Sequence, residues 1–181
     1  IANNQKPSQK TYMKMLWDKE NLYIYARLYE KHIWGDIIQR DAVIFKNNDF
    51  EIFLKPSQNH NYYGEIEINA LGTVWDLLLD KPYRLGGKAN TNWNIENLNS
   101  AVYISGTIND SSDEDNYWSC EISIPLNEII KINGTDYNNV VAGDIWRANF
   151  SRVQWEHDII DGRYSRKKVN GKLKREYNWV W

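Results

Sequence analysis

One cysteine, Cys120, stands in 181 residues, so no internal disulfide can form and cysteine usage leaves the redox compartment open. Its place in an apolar-alternating stretch marks it as a buried, inert thiol. The three histidines, His32, His60 and His157, lie far apart in loop-like contexts, which excludes zinc-ligand spacing, and no residue beside them reads as a nucleophile. No apolar run approaches the roughly 20 residues of a membrane span. Lys and Arg number 22 against 24 Asp and Glu, a formal charge of -2, so the broad basic surface that nucleic-acid binding needs is missing. The only methionines, Met13 and Met15, share a strand phase with Trp17 and read as packing beside that ring rather than as haem ligands.

Phenylalanine is scarce too: four against nine Trp and twelve Tyr, where a core chosen for packing alone would favour Phe, Leu and Val. Trp and Tyr combine a flat apolar face with a hydrogen-bonding rim, which suits hydroxylated ligands and wet interfaces. More than half of these rings are assigned to the core. The length suits one domain, with residues 1–10 a polar, aperiodic, flexible segment lacking a signal peptide and residues 11–181 the ordered unit.

Residues 21–30 alternate, with Leu22, Ile24, Ala26 and Leu28 on one face and Tyr23, Tyr25, Arg27 and Tyr29 on the other, which predicts a half-buried strand. The same period of two recurs at Phe50, Ile52 and Leu54, at Ile66, Ile68 and Ala70, at Trp118, Cys120, Ile122 and Ile124, and at Trp146, Ala148 and Phe150. Further strands are expected over 12–17, 73–79 and 101–108, and a short helix over 126–130, because Pro125 suits the start of a first helical turn. Short strands separated by polar turns, without alternating long helices, give an all-β chain, an antiparallel β-sandwich of two packed sheets, immunoglobulin-like or jelly-roll-like. Residues 166–174 form a basic hairpin candidate whose charge reads as a solvated loop.

The opposite phase of the same strands carries Glu51, then Glu65, Glu67 and Asn69, then Arg147, Asn149 and Ser151. Neighbouring strands would join these into one hydrogen-bonding floor, and carboxylates, amides and guanidinium groups both accept from and donate to sugar hydroxyls. Glu51, Glu67, Asn69, Asn149 and Arg152 are the candidate polar contacts. Trp75 and Trp155, then Trp34 and Tyr83, are the candidate stacking rings, whereas Trp118 and Trp146 fall in phase with the core. Asp110, Asp113 and Asp115 cluster in one turn, and Asp36 and Asp41 in another, where oxygen ligands for a hard cation can converge.

The runs 48–53, 63–70 and 73–76, residues 118–125 and 146–153, and the ending Asn178, Trp179, Val180, Trp181 together resemble family-9-like carbohydrate-binding modules from about Leu16 onward. That resemblance implies a β-sandwich that grips mono- or oligosaccharide between aromatic side chains, frequent structural calcium, and a place in exported bacterial proteins beside a fused or associated glycan-active enzyme. Competing expectations are a protein-interaction or adhesion sandwich and a glycoside hydrolase built on Glu65 and Glu67. Side chains two apart on one strand point the same way and do not readily flank a scissile bond, so a non-catalytic role is favoured.

Overall fold

The computed structural model describes residues 7–56, 59–132 and 140–181. Its strands begin with β1 (Thr11–Trp17), β2 (Asn21–Tyr29), β3 (Asp49–Lys55), β4 (Tyr63–Asn69), β5 (Val74–Leu79) and β6 (Ala89–Asn90). They continue with β7 (Asn99–Ser105), β8 (Tyr117–Pro125), β9 (Arg147–Gln154), β10 (His157–Ile160) and β11 (Arg163–Arg166). The chain closes through β12 (Lys168–Val169), β13 (Lys172–Leu173) and β14 (Tyr177–Val180). A short helix, α1 (Leu126–Ile130), follows Pro125 where expected, and 3-10 turns occupy Ile44–Lys46 and Tyr83–Leu85.

Two antiparallel sheets pack as a sandwich, one ordered β1-β2-β8-β7 and the other β14-β9-β3-β4-β5-β6. The alternating residues supply the layer between them: Leu22, Ile24, Ala26 and Leu28 meet Trp118, Cys120, Ile122 and Ile124 in the first sheet and Phe50, Ile52, Ile66 and Ile68 from the second. Each fully buried aliphatic side chain contributes roughly 1.5–3 kcal/mol relative to exposure, so this periodicity fixes strand register as well as stability. Cys120 is wholly buried and burial pushes its thiol up to about 12, so it is an unreactive packing residue.

At one end of this layer sits an ionic network. Arg152 is fully buried in the core phase of β9, opposite Phe50 on β3 and Trp179 on β14. Its Nη2 lies 3.4 Å from Glu30 Oε2, and Gln154 Oε1 accepts from its Nε and Nη2 at 3.0 and 2.7 Å. Glu30 also accepts from Trp118 Nε1 at 3.1 Å and from the amides of Gln154 and Asn48. Gln9 Oε1 and the Lys10 carbonyl accept from the same guanidinium at 2.9 and 3.4 Å, so residues 9 and 10 are tied to the sandwich instead of fraying; residues 1–6 of that segment lie outside the described residues.

β1 pairs with β2 at the edge of its sheet, and Met13, Met15 and Trp17 share one face of it, all exposed.

Candidate functional site

Strand pairing puts the polar phase of the six-stranded sheet into rows on the face away from the core. One row reads Val180, Ser151, Glu51, Glu67, Trp75; the next reads Asn149, Phe53, Glu65, Leu77; a third holds Asn178, Val153, Asp49 and Asn69. This is the floor that the alternation predicts, with Glu51 directly opposite Glu67. It is not a solvated face, however. Asp49, Glu51, Glu65, Glu67, Asn69 and Ser151 are all buried.

The covering layer is aperiodic and therefore silent in the strand pattern. Ile44 joins Trp75, Leu77 and Leu79 in a second apolar cluster, and the Phe45 N–H donates to Glu67 Oε2 at 2.9 Å. The Tyr83 hydroxyl donates to Glu65 Oε2 at 2.8 Å, and the Ser151 hydroxyl donates to Glu51. Among the described residues none of Asp49, Glu51, Glu65 and Glu67 has an ion-pair partner.

Burial without a counter-charge favours the neutral acids. Burial first, and the Glu51 and Glu65 carboxylates second, push Glu67 up to about 9. Burial and then Glu51 push Glu65 up to about 8. Burial raises Glu51 to about 7 against the opposing hydrogen bond from Ser151, and burial with the neighbouring Glu51 and Glu67 holds Asp49 well above the usual carboxylate range. A protonated carboxyl donates one hydrogen bond and accepts others, the same repertoire as a sugar hydroxyl. The ligand oxygens of Asp49, Glu51 and Glu67 also converge, all within 4.8 Å of one another, and Asp49 Oδ2 has no hydrogen-bond partner.

Two exposed rings are tethered to this buried floor. Phe45 is 40% exposed and stacks on Trp75 with centroids 6.5 Å apart, over Glu67; Tyr83 is 53% exposed over Glu65. Phe45 was not among the residues expected from sequence, because one Phe in an aperiodic loop carries no pattern.

The other expected residues are distributed as follows. Trp75 is 8% exposed and serves as backing for Phe45 rather than as an open platform. Trp155 is buried as well: its Nε1 donates to the Phe45 carbonyl at 2.7 Å and the Arg166 guanidinium lies 4.9 Å from its ring centroid, so it holds the loop that carries Phe45. Trp34 is buried beside Trp155 and stacks on Tyr164. Arg152 faces the opposite side of the sheet, inside the network described above, and has no path to this floor. Asn69 uses its amide to hold a turn, accepting from the Leu71 and Thr73 N–H groups at 3.0 Å and donating to the Ile37 carbonyl at 2.8 Å. Asn149 lies half-buried beside Phe53 on the floor's margin.

The acidic turn works differently from the expectation. Asp115 accepts from the Ile33 and Thr107 N–H groups at 2.6 and 2.7 Å, Asp113 from the Thr107 hydroxyl, and Asp110 from Ser112. Each of these carboxylates already accepts protein hydrogen bonds, Asp115 from the distant Ile33 as well as within the turn, and among the described residues the acids that do converge are Asp49, Glu51 and Glu67. Asp36 likewise accepts from the Asn47 amide at 2.7 Å.

No family model matches the chain, and no curated protein matches it in sequence. Solved structures do match. A Bacteroides uniformis protein designated carbohydrate-binding superposes with a TM-score of 0.65 at 10% identity, over 99% of this chain and 72% of that one. A family 9 carbohydrate-binding module from Caldicellulosiruptor kristjanssonii, solved with glucose and with cellotriose, superposes with a TM-score of 0.54 at 14% identity. The match covers 90% of this chain and 66% or 65% of the module's chain. The chain therefore has the fold of the family 9 carbohydrate-binding modules.

Proposed function

We propose that this chain is a non-catalytic carbohydrate-binding module that holds a mono- or oligosaccharide on the outer face of the six-stranded sheet. The observation that carries the proposal is the placement of Phe45 and Tyr83, half-exposed rings standing over Glu67 and Glu65. Rings of this kind bind the apolar C–H faces of a sugar, and the buried acids beneath hold them in place, Glu67 through the Phe45 N–H and Glu65 through the Tyr83 hydroxyl. Glu51 and Ser151 extend the floor, and Asn149 reaches its margin.

A hydrolase is disfavoured by the same geometry. Glu65 and Glu67 share one face of β4, both are driven toward the neutral form, and neither has the paired acid and base environments that separate catalytic roles. In this reading the module belongs to an exported, glycan-using setting beside a fused or associated glycan-active enzyme, whose encounter with substrate it would raise by effective concentration.

Asp49 favours a second occupant for part of this floor. Its unpartnered Oδ2, with Glu51 and Glu67 converging on it, offers an all-oxygen seat to a hard divalent cation such as calcium. Direct calorimetric titration with neutral mono- and oligosaccharides, with and without calcium, tests both readings. Saturable binding that Phe45→Ala and Glu67→Ala both weaken supports the module, and binding indifferent to both variants removes it.

A further inference from the structure

We infer that a second cleft, lined in part by Lys46 next to Phe45, receives an anionic substituent, so that the module takes acidic glycans, sugars bearing a carboxylate or a sulfate ester. The inference rests on the sugar-binding reading above and names its ligand class.

The cleft has a volume of about 330 Å³, and its lining includes Trp34, Asp36, Lys46, Tyr164, Arg166 and Lys168. That volume is at the small end of ligand sites and suits one substituted sugar ring rather than a polymer surface. Its aromatic wall is built rather than incidental. Tyr164 stacks on Trp34 with centroids 6.4 Å apart and planes 17° from parallel, and its hydroxyl donates to the Asp110 carbonyl at 2.9 Å. Trp34 itself is buried, and its indole N–H has no acceptor.

The charge of the lining is lopsided. Residues 163–175 hold seven Lys and Arg and no Asp or Glu, within a chain whose formal charge is -2. Lys167 and Lys174 pair with Glu156, but among the described residues Lys46, Arg166 and Lys168 have no ion-pair partner. Against these three cations the cleft sets one carboxylate, Asp36, which already accepts from Asn47. Unpaired cations converging on a concave site attract an anion, and a guanidinium fork suits a carboxylate or a sulfate.

The two sites share the segment that carries Phe45 and Lys46. Lys46 follows Phe45 in sequence, and Trp155 joins the Phe45 carbonyl to the Arg166 guanidinium.

The test compares trigalacturonate with its carboxyl-reduced counterpart by calorimetry, with a heparin-derived disaccharide as the sulfate arm and poly-glutamate as the non-sugar polyanion. At low salt the acidic trisaccharide is expected to bind about tenfold more tightly than the neutral one, with the gap closing at about 0.5 M salt. The double variant Arg166→Gln/Lys168→Gln, and separately Lys46→Gln at an exposed position, are expected to close the gap too. Equal affinity for the acidic and neutral trisaccharides overturns the inference and leaves the module reading standing. So does a preference that the variants fail to reduce, or poly-glutamate binding as tightly as the acidic sugar. Silence toward every saccharide instead removes the module reading, and this inference with it.

Discussion

The Phe45 backbone N–H is bonded to Glu67 at 2.9 Å while the Phe45 ring is left 40% exposed above the carboxylate floor. One residue thus both closes a buried acid and presents an apolar face to solvent. This coupling makes the binding and stability consequences of substitutions at the site separable.

Phe45→Ala removes the ring and leaves the backbone bond. It is expected to weaken saccharide binding by at least about tenfold, equivalent to about 1.4 kcal/mol, with little change in melting temperature. Calorimetry and a thermal scan on the same sample check both halves. Loss of stability with binding intact would assign the ring to the fold alone.

The acids make stability depend on pH in a definite direction. Glu51, Glu65 and Glu67 have folded-state values of about 7, 8 and 9 against an ordinary 4.5. Between the unfolded and folded values the native protein holds protons that the unfolded chain has released. Stability is therefore full near pH 4.5 and falls as pH rises toward about 9. The melting temperature is expected to drop by at least about 5 °C across that window, and Glu67→Gln, which fixes a neutral group, to flatten part of the drop. A melting temperature that rises with pH over the same range would contradict the burial argument.

Calcium must displace those protons to bind. If it occupies Asp49, Glu51 and Glu67, millimolar calcium raises the melting temperature more at pH 8.5 than at pH 5.5, and Asp49→Asn abolishes the gain. Calorimetry at the two pH values gives the same comparison directly. No calcium response at pH 8.5 removes the cation reading without touching the sugar site.

Arg152 is a structural test. Arg152→Met strands Glu30 and Gln154 in the interior and is expected to cost about 3–5 kcal/mol in urea unfolding. A loss below about 1 kcal/mol would mean that the buried network adds nothing beyond packing.

The sandwich was legible because both of its inner faces obey a period of two: Leu22 to Leu28, Phe50 to Leu54 and Trp118 to Ile124 all occupy the core that their spacing predicts. The helix after Pro125 followed from the same local chemistry. The polar floor was legible as a face, since Glu51, Glu67 and Ser151 sit in one row. Its burial was not legible, because the segment that covers it, from Ile37 to Asn47, has no period and reaches the sheet through scattered contacts such as the Phe45 N–H to Glu67 and the Arg40 ion pair with Asp76. Arg152 shows the complementary limit. Its phase relative to Phe150 places it inward, yet an arginine at a strand end reads as solvent-facing until its partners, Glu30 and Gln154, are seen folded against it.

The central claim is that Phe45 and Tyr83 over the Glu65 and Glu67 floor form a sugar site. Its most direct measurement is calorimetric titration of the wild type, Phe45→Ala and Tyr83→Ala with a panel of neutral and acidic oligosaccharides, assayed in parallel for cleavage. The account predicts saturable binding without cleavage in the wild type and at least about tenfold weaker binding in each variant. Cleavage of the bound sugar, or binding equally tight in all three proteins, would contradict it.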